Sequence, residues 1–339
     1  MIEIKVSVAD PIWKMTRQSP GRSGIWNDCR FHFDDDLDCY DYWVVYDGLG
    51  RKERVRCDPD NTILITAEPP SIKSYNRRFL SQISRVLTFR TDIPHRKLIH
   101  SQPAIPWWVG KRFNRGADPA HRFEDDPQLD YDHFKNVPLP KKDKLISVIT
   151  SGKMYTEGHR KREEFVKQLW AEFGGELDVY SPEGLELVDK WDAISRYRYH
   201  VAIENSIYPD YWTEKLADTF LGGALPLYHG CPNCSEYFPT DAVRPINIYE
   251  PGKAVKAIRA AIDDDSYTKS LQSVQEARRR ILDEYNIFPV LASICREKSD
   301  PMRHTGITIW PEDRHPFDVR MKLDRHTWNI MLKVRGRQN

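Results

Sequence analysis

The sequence predicts an α/β protein made of two Rossmann-like, doubly wound units that face a cleft. Short apolar runs rich in Val, Ile and Leu alternate with amphipathic segments of helical period, the pattern of parallel strands covered on both faces. The alternation occurs twice, on either side of a Pro-rich and charge-rich stretch without a sustained period. A chain of 339 residues also exceeds one ordinary domain. The expected division is an N-terminal unit with its linker over 1–140, a second unit over 141–300 and a tail over 301–339.

In the first unit IEIKVSV (2–8) alternates with period two, and YDYWVVYDG (40–48) is an aromatic and β-branched run that ends in a turn. TILITAE (62–68) is almost continuously apolar, residues 75–82 suit a short helix, and RVLTFR (85–90) follows as a strand. From 95 to 143 the texture changes to loops and linker, including QPAIPWW and NVPLPKKDK. The second alternation opens with the strand KLISVIT (144–150), a polar loop over 151–159, and a helix over 160–173 with Phe165, Val166, Leu169, Trp170 and Phe173 on one side. LDVY (177–180) is a strand, 185–195 a helix and YRYHVAIE (197–204) a strand. The helix over 213–221 is opened by a Thr cap and closed by Gly222-Gly223. ALPLYHG (224–230) and PINIY (245–249) are strands, and helices over 252–262 and 267–285 complete the pattern. Sheets of this kind take ligands at the carboxyl ends of their strands. The tail reads as a packed return segment, with a basic surface contact as the other reading.

Composition excludes several classes. Lys plus Arg number 51 and Asp plus Glu 50, a formal charge of +1, so no overall field holds a polyanion and no nucleic-acid partner is expected. Any anion site is local. No apolar run reaches about 18 residues, and the first residues alternate instead of forming a basic head and an apolar core. Neither a spanning helix nor a signal peptide is expected. Six cysteines in such a chain imply reduced thiols and a cytoplasmic protein. Cys231-Pro-Asn-Cys234 has redox or zinc half-site spacing but lacks a second Cys/His pair nearby, and reads as loop packing. The Asp-x-Asp of Asp36-Leu37-Asp38 lies in a run of acids that reads as a solvated turn, so no metal site is expected. Neither Gly-rich phosphate fingerprint occurs.

The chemistry concentrates between Tyr197 and Gly230. A buried strand runs into Glu204-Asn205-Ser206, and Thr213-Glu214-Lys215 opens a helix whose free N–H groups and dipole, with Lys215, suit a phosphate. Glu214 can accept from sugar hydroxyls, or serve as ordinary capping chemistry. Tyr211 and Trp212 can stack on a base or a sugar ring, and Trp107 and Trp108 are either sugar platforms or core.

This stretch resembles the signature of family-ten glycosyltransferases, the α-1,3-fucosyltransferases. The residues that carry the likeness are Tyr197-Arg198-Tyr199, Ile203-Glu204-Asn205-Ser206, Tyr211-Trp212-Thr213-Glu214-Lys215 and Leu225-Pro226-Leu227-Tyr228-His229-Gly230, in order and spacing. Outward from it, Ile149-Thr150-Ser151-Gly152 precedes Arg162-Glu163-Glu164-Phe165, and Ala67-Glu68-Pro69-Pro70-Ser71 precedes Leu87-Thr88-Phe89-Arg90-Thr91-Asp92, each similar to a family segment.

The resemblance implies a GT-B-like arrangement of an acceptor-side N-terminal domain and a donor-binding C-terminal domain. The activity it implies is inverting transfer of L-fucose from GDP-β-L-fucose to a hydroxyl of an oligosaccharide or glycolipid, α-1,3 in type, with no obligatory cofactor or metal. Glu68 would be the catalytic base. Ser151, Arg162, Asn205, Tyr211, Glu214 and Lys215 would bind the donor: Arg162 and Lys215 its diphosphate, Tyr211 and Asn205 its guanosine, Glu214 its sugar. The neighbours Arg160 and Lys161 leave the arginine assignment open by a turn. Trp212, His229 and Cys234 depart from the family pattern near the sugar pocket. The absent anchor points to a soluble bacterial type acting at the cytoplasmic face on a lipopolysaccharide-like glycan. The same fold with another GDP-sugar, or a non-catalytic carbohydrate-binding protein, is the alternative.

Overall fold

A computed structural model describes residues 1–9, 15–33, 37–114, 116–117, 122–150, 157–181 and 184–312. Ser151, Asp36 and the tail beyond 312 lie outside the described residues.

The N-terminal sheet contains β1 (Ile2–Val8), β2 (Ile25–Trp26), β3 (Cys29–His32) and β4 (Tyr42–Tyr46). After β5 (Glu53–Cys57), which pairs elsewhere, it continues with β6 (Thr62–Ile65), β7 (Arg85–Thr88) and β8 (Leu98–His100). The order is β2-β3-β1-β4-β6-β7-β8, parallel except for the β2–β3 hairpin. Period-two alternation serves both faces. Ile4, Val6, Val44 and Ile63 join one apolar cluster, whereas Trp43, Val45 and Leu64 point into another. Helix α1 (Arg77–Leu80) covers the second face with Phe79 and Leu80.

Residues 95–143, read as irregular, hold β8, the hairpin β9 (Lys111–Phe113) with β10 (Phe123–Asp125), and α2 (Tyr131–Asn136). These elements are too short to leave a periodic trace in the sequence.

The second sheet comprises β11 (Lys144–Ile149), β12 (Leu177–Tyr180), β13 (Tyr197–Ile203), β14 (Leu225–His229) and β15 (Arg244–Pro245). It is wholly parallel in the order β12-β11-β13-β14-β15. Its helices are α3 (Glu157–Phe173), α4 (Lys190–Ile194), α5 (Glu214–Leu221), α6 (Pro251–Asp263) and α7 (Ser266–Arg280). Three expectations are corrected. The helix over 185–195 shrinks to α4, because Asp189 caps it by accepting from Trp191 N at 2.8 Å. The strand over 245–249 keeps only Pro245, since the neighbouring β14 offers it two residues of pairing. Trp170 is 54 % exposed, off the buried stripe of Phe165, Val166, Leu169 and Phe173.

The chain then returns to the first unit. Helix α8 (Ile287–Ile294) sets Phe288 and Leu291 in the cluster of Ile4 and Val44, and β16 (Thr305–Ile309) pairs antiparallel with β5. Residues 305–309 thus pack as a return segment. The architecture is two parallel-sheet α/β units across a cleft, as the sequence predicts.

Candidate active site between the two units

Each sheet has a point where successive connections leave in opposite directions, between β1 and β4 in the first and between β11 and β13 in the second. Crevices form at such points beyond the strands' carboxyl ends. A cavity of about 270 Å³ lies beyond β11 and β13, lined by Ile149, Arg162, Lys190, His200, Asn205, Glu214, Lys215 and Asp218. A second of about 370 Å³ joins the two units and is lined by Tyr46, Asp47, Glu68, Trp108, Asn205, Tyr211, Glu214 and Lys215. Asn205, Glu214 and Lys215 border both.

The start of α5 is fixed by Glu204. At the end of β13 this carboxylate is buried and accepts from Thr213 N at 2.8 Å and from Thr213 Oγ1 at 2.7 Å, with Tyr228 hydroxyl at 3.2 Å. Thr213 Oγ1 in turn caps α5 through Lys215 N. A Cβ on Gly230 would collide with Tyr228 and Glu204, so the glycine that closes the motif is required by this contact. Burial raises the Glu204 pKa.

Charge is dense at this helix start. Lys215 Nζ lies 3.1 Å from Glu214 and 3.5 Å from Glu204, and Lys190 Nζ lies 3.2 Å from Glu214 and 3.0 Å from Asp218. Burial disfavours the Glu214 carboxylate, but Lys190 and Lys215 outweigh it and hold the group well below the usual range. Burial likewise opposes the Lys215 charge, and Glu214 and Glu204 more than offset it. Arg160 is exposed and Lys161 pairs with Glu164, whereas Arg162 is buried with Nη1 3.4 Å from Asn205 Oδ1.

Glu68 enters from the first unit, three residues beyond β6. Burial first, then Asp47, raises its pKa, against Lys215 across the cleft. Its loop is locked by Arg90, which donates to Glu68 O at 3.2 Å and Lys73 O at 2.7 Å while forming a two-point pair with Asp92 at 2.8 and 2.6 Å. Asp47, with φ of 56°, accepts from Ala67 N at 3.0 Å and from the Tyr75 hydroxyl.

The aromatic expectations separate. Trp212 is core, packed edge-on with Tyr237, Phe238 and Tyr285, and does not face the cavity as a stacking ring. Trp107 is also core, against Phe134, whereas Trp108 lines the cavity between the units. Tyr211 is 2 % exposed and meets Phe89. Lys190 and Asp218 were missed because a helix read over 185–195 puts Lys190 in mid-face, while the cap Asp189 puts it in the first helical turn, beside the strand ends. The six cysteines are free, and no group of metal ligands exists among the described residues.

Residues 139–281 match glycosyltransferase family 10 (fucosyltransferase), C-terminal part. Over these residues, fewer than half of the chain, the sequence is similar to that family. The matched part holds every motif residue from Arg162 to Gly230, and Glu68 lies outside it. The chain is 36 % identical over 64 residues to alpha-(1,3)-fucosyltransferase B of Drosophila melanogaster, covering 19 % of this chain and 13 % of that protein. It is 31 % identical over 87 residues to GDP-fucose protein O-fucosyltransferase 3 of Danio rerio, covering 25 % and 19 %. The match thus spans under a fifth of these relatives' length. A solved alpha1,3-fucosyltransferase with GDP-fucose aligns over 85 % of this chain and 92 % of its own, at 14 % identity and a TM-score of 0.45. No helix among the described residues is long and apolar enough to cross a membrane.

Proposed function

We propose that the protein is an inverting fucosyltransferase that takes L-fucose from GDP-β-L-fucose and delivers it to a sugar hydroxyl. The observation that carries this reading is the pairing of a desolvated glutamate, Glu68, with the Lys215 and Glu214 helix start across one cavity. The family-10 match over the donor side supports it.

In this reading the diphosphate lies against Lys215, Arg162 and the positive end of α5, and the fucosyl ring lies in the cavity between the units. Glu68 takes the proton of the acceptor hydroxyl as that oxygen attacks the anomeric carbon from the face opposite GDP. The C–O bond to phosphate breaks and its electron pair leaves with GDP, whose growing charge the cations stabilise. Glu214 accepts from fucose hydroxyls and opposes positive charge at the anomeric carbon. Asn205 and Ser151 complete the donor site. Tyr211 acts at its wall and not as a free stacking ring, given its contact with Phe89. Trp108 offers a face to the acceptor. No metal step is needed.

The acceptor is an oligosaccharide or glycolipid, α-1,3 in linkage, of the lipopolysaccharide type. Free thiols at all six cysteines support a reducing, cytoplasmic setting. The test is thermal stabilisation by GDP and GDP-fucose. A shift with GDP-fucose that GDP-mannose, UDP-sugars and ADP do not give supports the reading. An equal shift with GDP-mannose points to another donor sugar, and none with any nucleotide points to a non-catalytic protein.

A further inference from the structure

Lys190 belongs to none of the motifs above, yet it stands where the donor cavity, α5 and the loop 105–110 meet. Its Nζ bridges Glu214 Oε1 at 3.2 Å and Asp218 Oδ2 at 3.0 Å, and lies 5.9 Å from the centre of the Trp108 ring. Asp218 is fully buried, and its other oxygen accepts from Trp108 N at 2.9 Å and Val109 N at 3.1 Å. Next along the loop, Gly110 N donates to Asp189, the cap beside Lys190, at 3.0 Å. One ammonium therefore ties the carboxylate at the donor helix start to the segment that carries Trp108 into the cavity between the units.

We propose that Lys190 is a positioning residue for transfer: it keeps the Glu214 carboxylate ionised and aimed at the sugar, and through Asp218 it sets Trp108 against the acceptor. The inference rests on the GDP-fucose reading. Its physical ground is burial. The side chains of Lys190, Glu214 and Asp218 are 18 %, 15 % and 0 % exposed, so deletion of the ammonium leaves two largely desolvated carboxylates without their common partner. The other groups around Glu214 are Lys215 on its own helix, Glu204 at the end of β13, Glu68 from the first unit, and the hydroxyls of Tyr46 and Tyr211. Apart from Lys215 these are acids or hydroxyls, so Lys215 alone would have to offset them. Lys190 pairs at the same time with Asp218, which orients it in a way that Lys215 does not repeat.

The test uses the full chain with Lys190→Met and Lys190→Arg. Carbon-13 labelling of glutamate carboxyls, with the Glu214 signal identified by its loss in Glu214→Gln, follows titration without any donor. The Met variant should raise the Glu214 midpoint by about one pH unit or more, and the Arg variant should restore it. In transfer from GDP-fucose, the Met variant should lose on the order of 10- to 100-fold in kcat while GDP affinity changes about threefold or less. An unchanged carboxyl titration, or equal losses in the Met and Arg variants, overturns the inference. A wild-type protein inert toward GDP and GDP-fucose sinks the donor reading instead, and the titration still decides the role of Lys190.

Discussion

Phe89 and Tyr211 meet ring against ring, with centroids 4.6 Å apart and an interplanar angle of 34°. Phe89 follows the last residue of β7, and Tyr211 precedes α5, so the contact joins the two units beside the cavity. Ser71 and Ser206 make a second link, with hydroxyls 3.2 Å apart. A seam of this kind positions Glu68 opposite Lys215.

The seam contact predicts a separation of ring from hydroxyl. Tyr211→Phe keeps the packing and should leave stability within about 0.5 kcal/mol. Phe89→Ala removes a buried ring, and should cost on the order of 3 kcal/mol and lower kcat. Chemical denaturation of both variants checks this. A loss in Tyr211→Phe as large as that in Phe89→Ala would show that the hydroxyl holds the seam as much as the ring pair does.

Glu68→Gln should abolish the base while leaving donor affinity intact, a loss of roughly 10² to 10⁴ in transfer. Calorimetry with GDP and a transfer assay separate the two quantities.

The pH profile follows from the same residue. Burial first, and then Asp47, hold the Glu68 pKa above the ordinary value of 4.5. A base works when deprotonated, so transfer should rise with pH through that raised value. Asp47→Asn removes one raising charge and should shift the acid limb downward. A limb that does not move would remove Asp47 from the electrostatics of Glu68.

Lys215→Ala and Arg162→Ala should each weaken GDP binding and lower transfer by about 10² to 10³, because each removes a cation from the leaving diphosphate. A chelator should leave the rate unchanged. Loss of activity in EDTA that added Mg²⁺ or Mn²⁺ restores would bring Asp36 and Asp38 back as a metal site.

Stability has its own lever in Lys142. Its Nζ donates to Ser195 O at 2.7 Å and Gly222 O at 2.5 Å, the capping residues at the ends of α4 and α5. Lys142→Met leaves both carbonyls without this donor, a loss of about 1 to 3 kcal/mol. A melting temperature equal to wild type would show that water replaces the ammonium at no cost.

Most of the scaffold was legible because both sheets are buried on two faces. A strand such as Tyr42–Tyr46 must be apolar throughout, Tyr197–Ile203 is buried at every position but Arg198, and a Thr cap with a closing Gly-Gly marks α5 as plainly as any local signal does. The positions of Glu68, Glu214 and Lys215 at strand and helix ends followed from that frame. Lys190 was hidden because a side chain on Asp189 started its helix five residues later than the pattern suggested. Trp212 looked like a ligand platform because nothing in a local motif reveals that Tyr237, Phe238 and Tyr285 will surround it. The return of α8 to the first sheet is likewise a long-range packing choice, as its apolar residues would suit either core.

The most direct test of the account is GDP release from GDP-fucose, with an oligosaccharide acceptor panel, by the wild type and Glu68→Gln. Acceptor-dependent release by the wild type, with product of inverted anomeric configuration and a loss of about 10² or more in the variant, is the predicted result. Undiminished transfer by Glu68→Gln, or release from another GDP-sugar in preference to GDP-fucose, would contradict it.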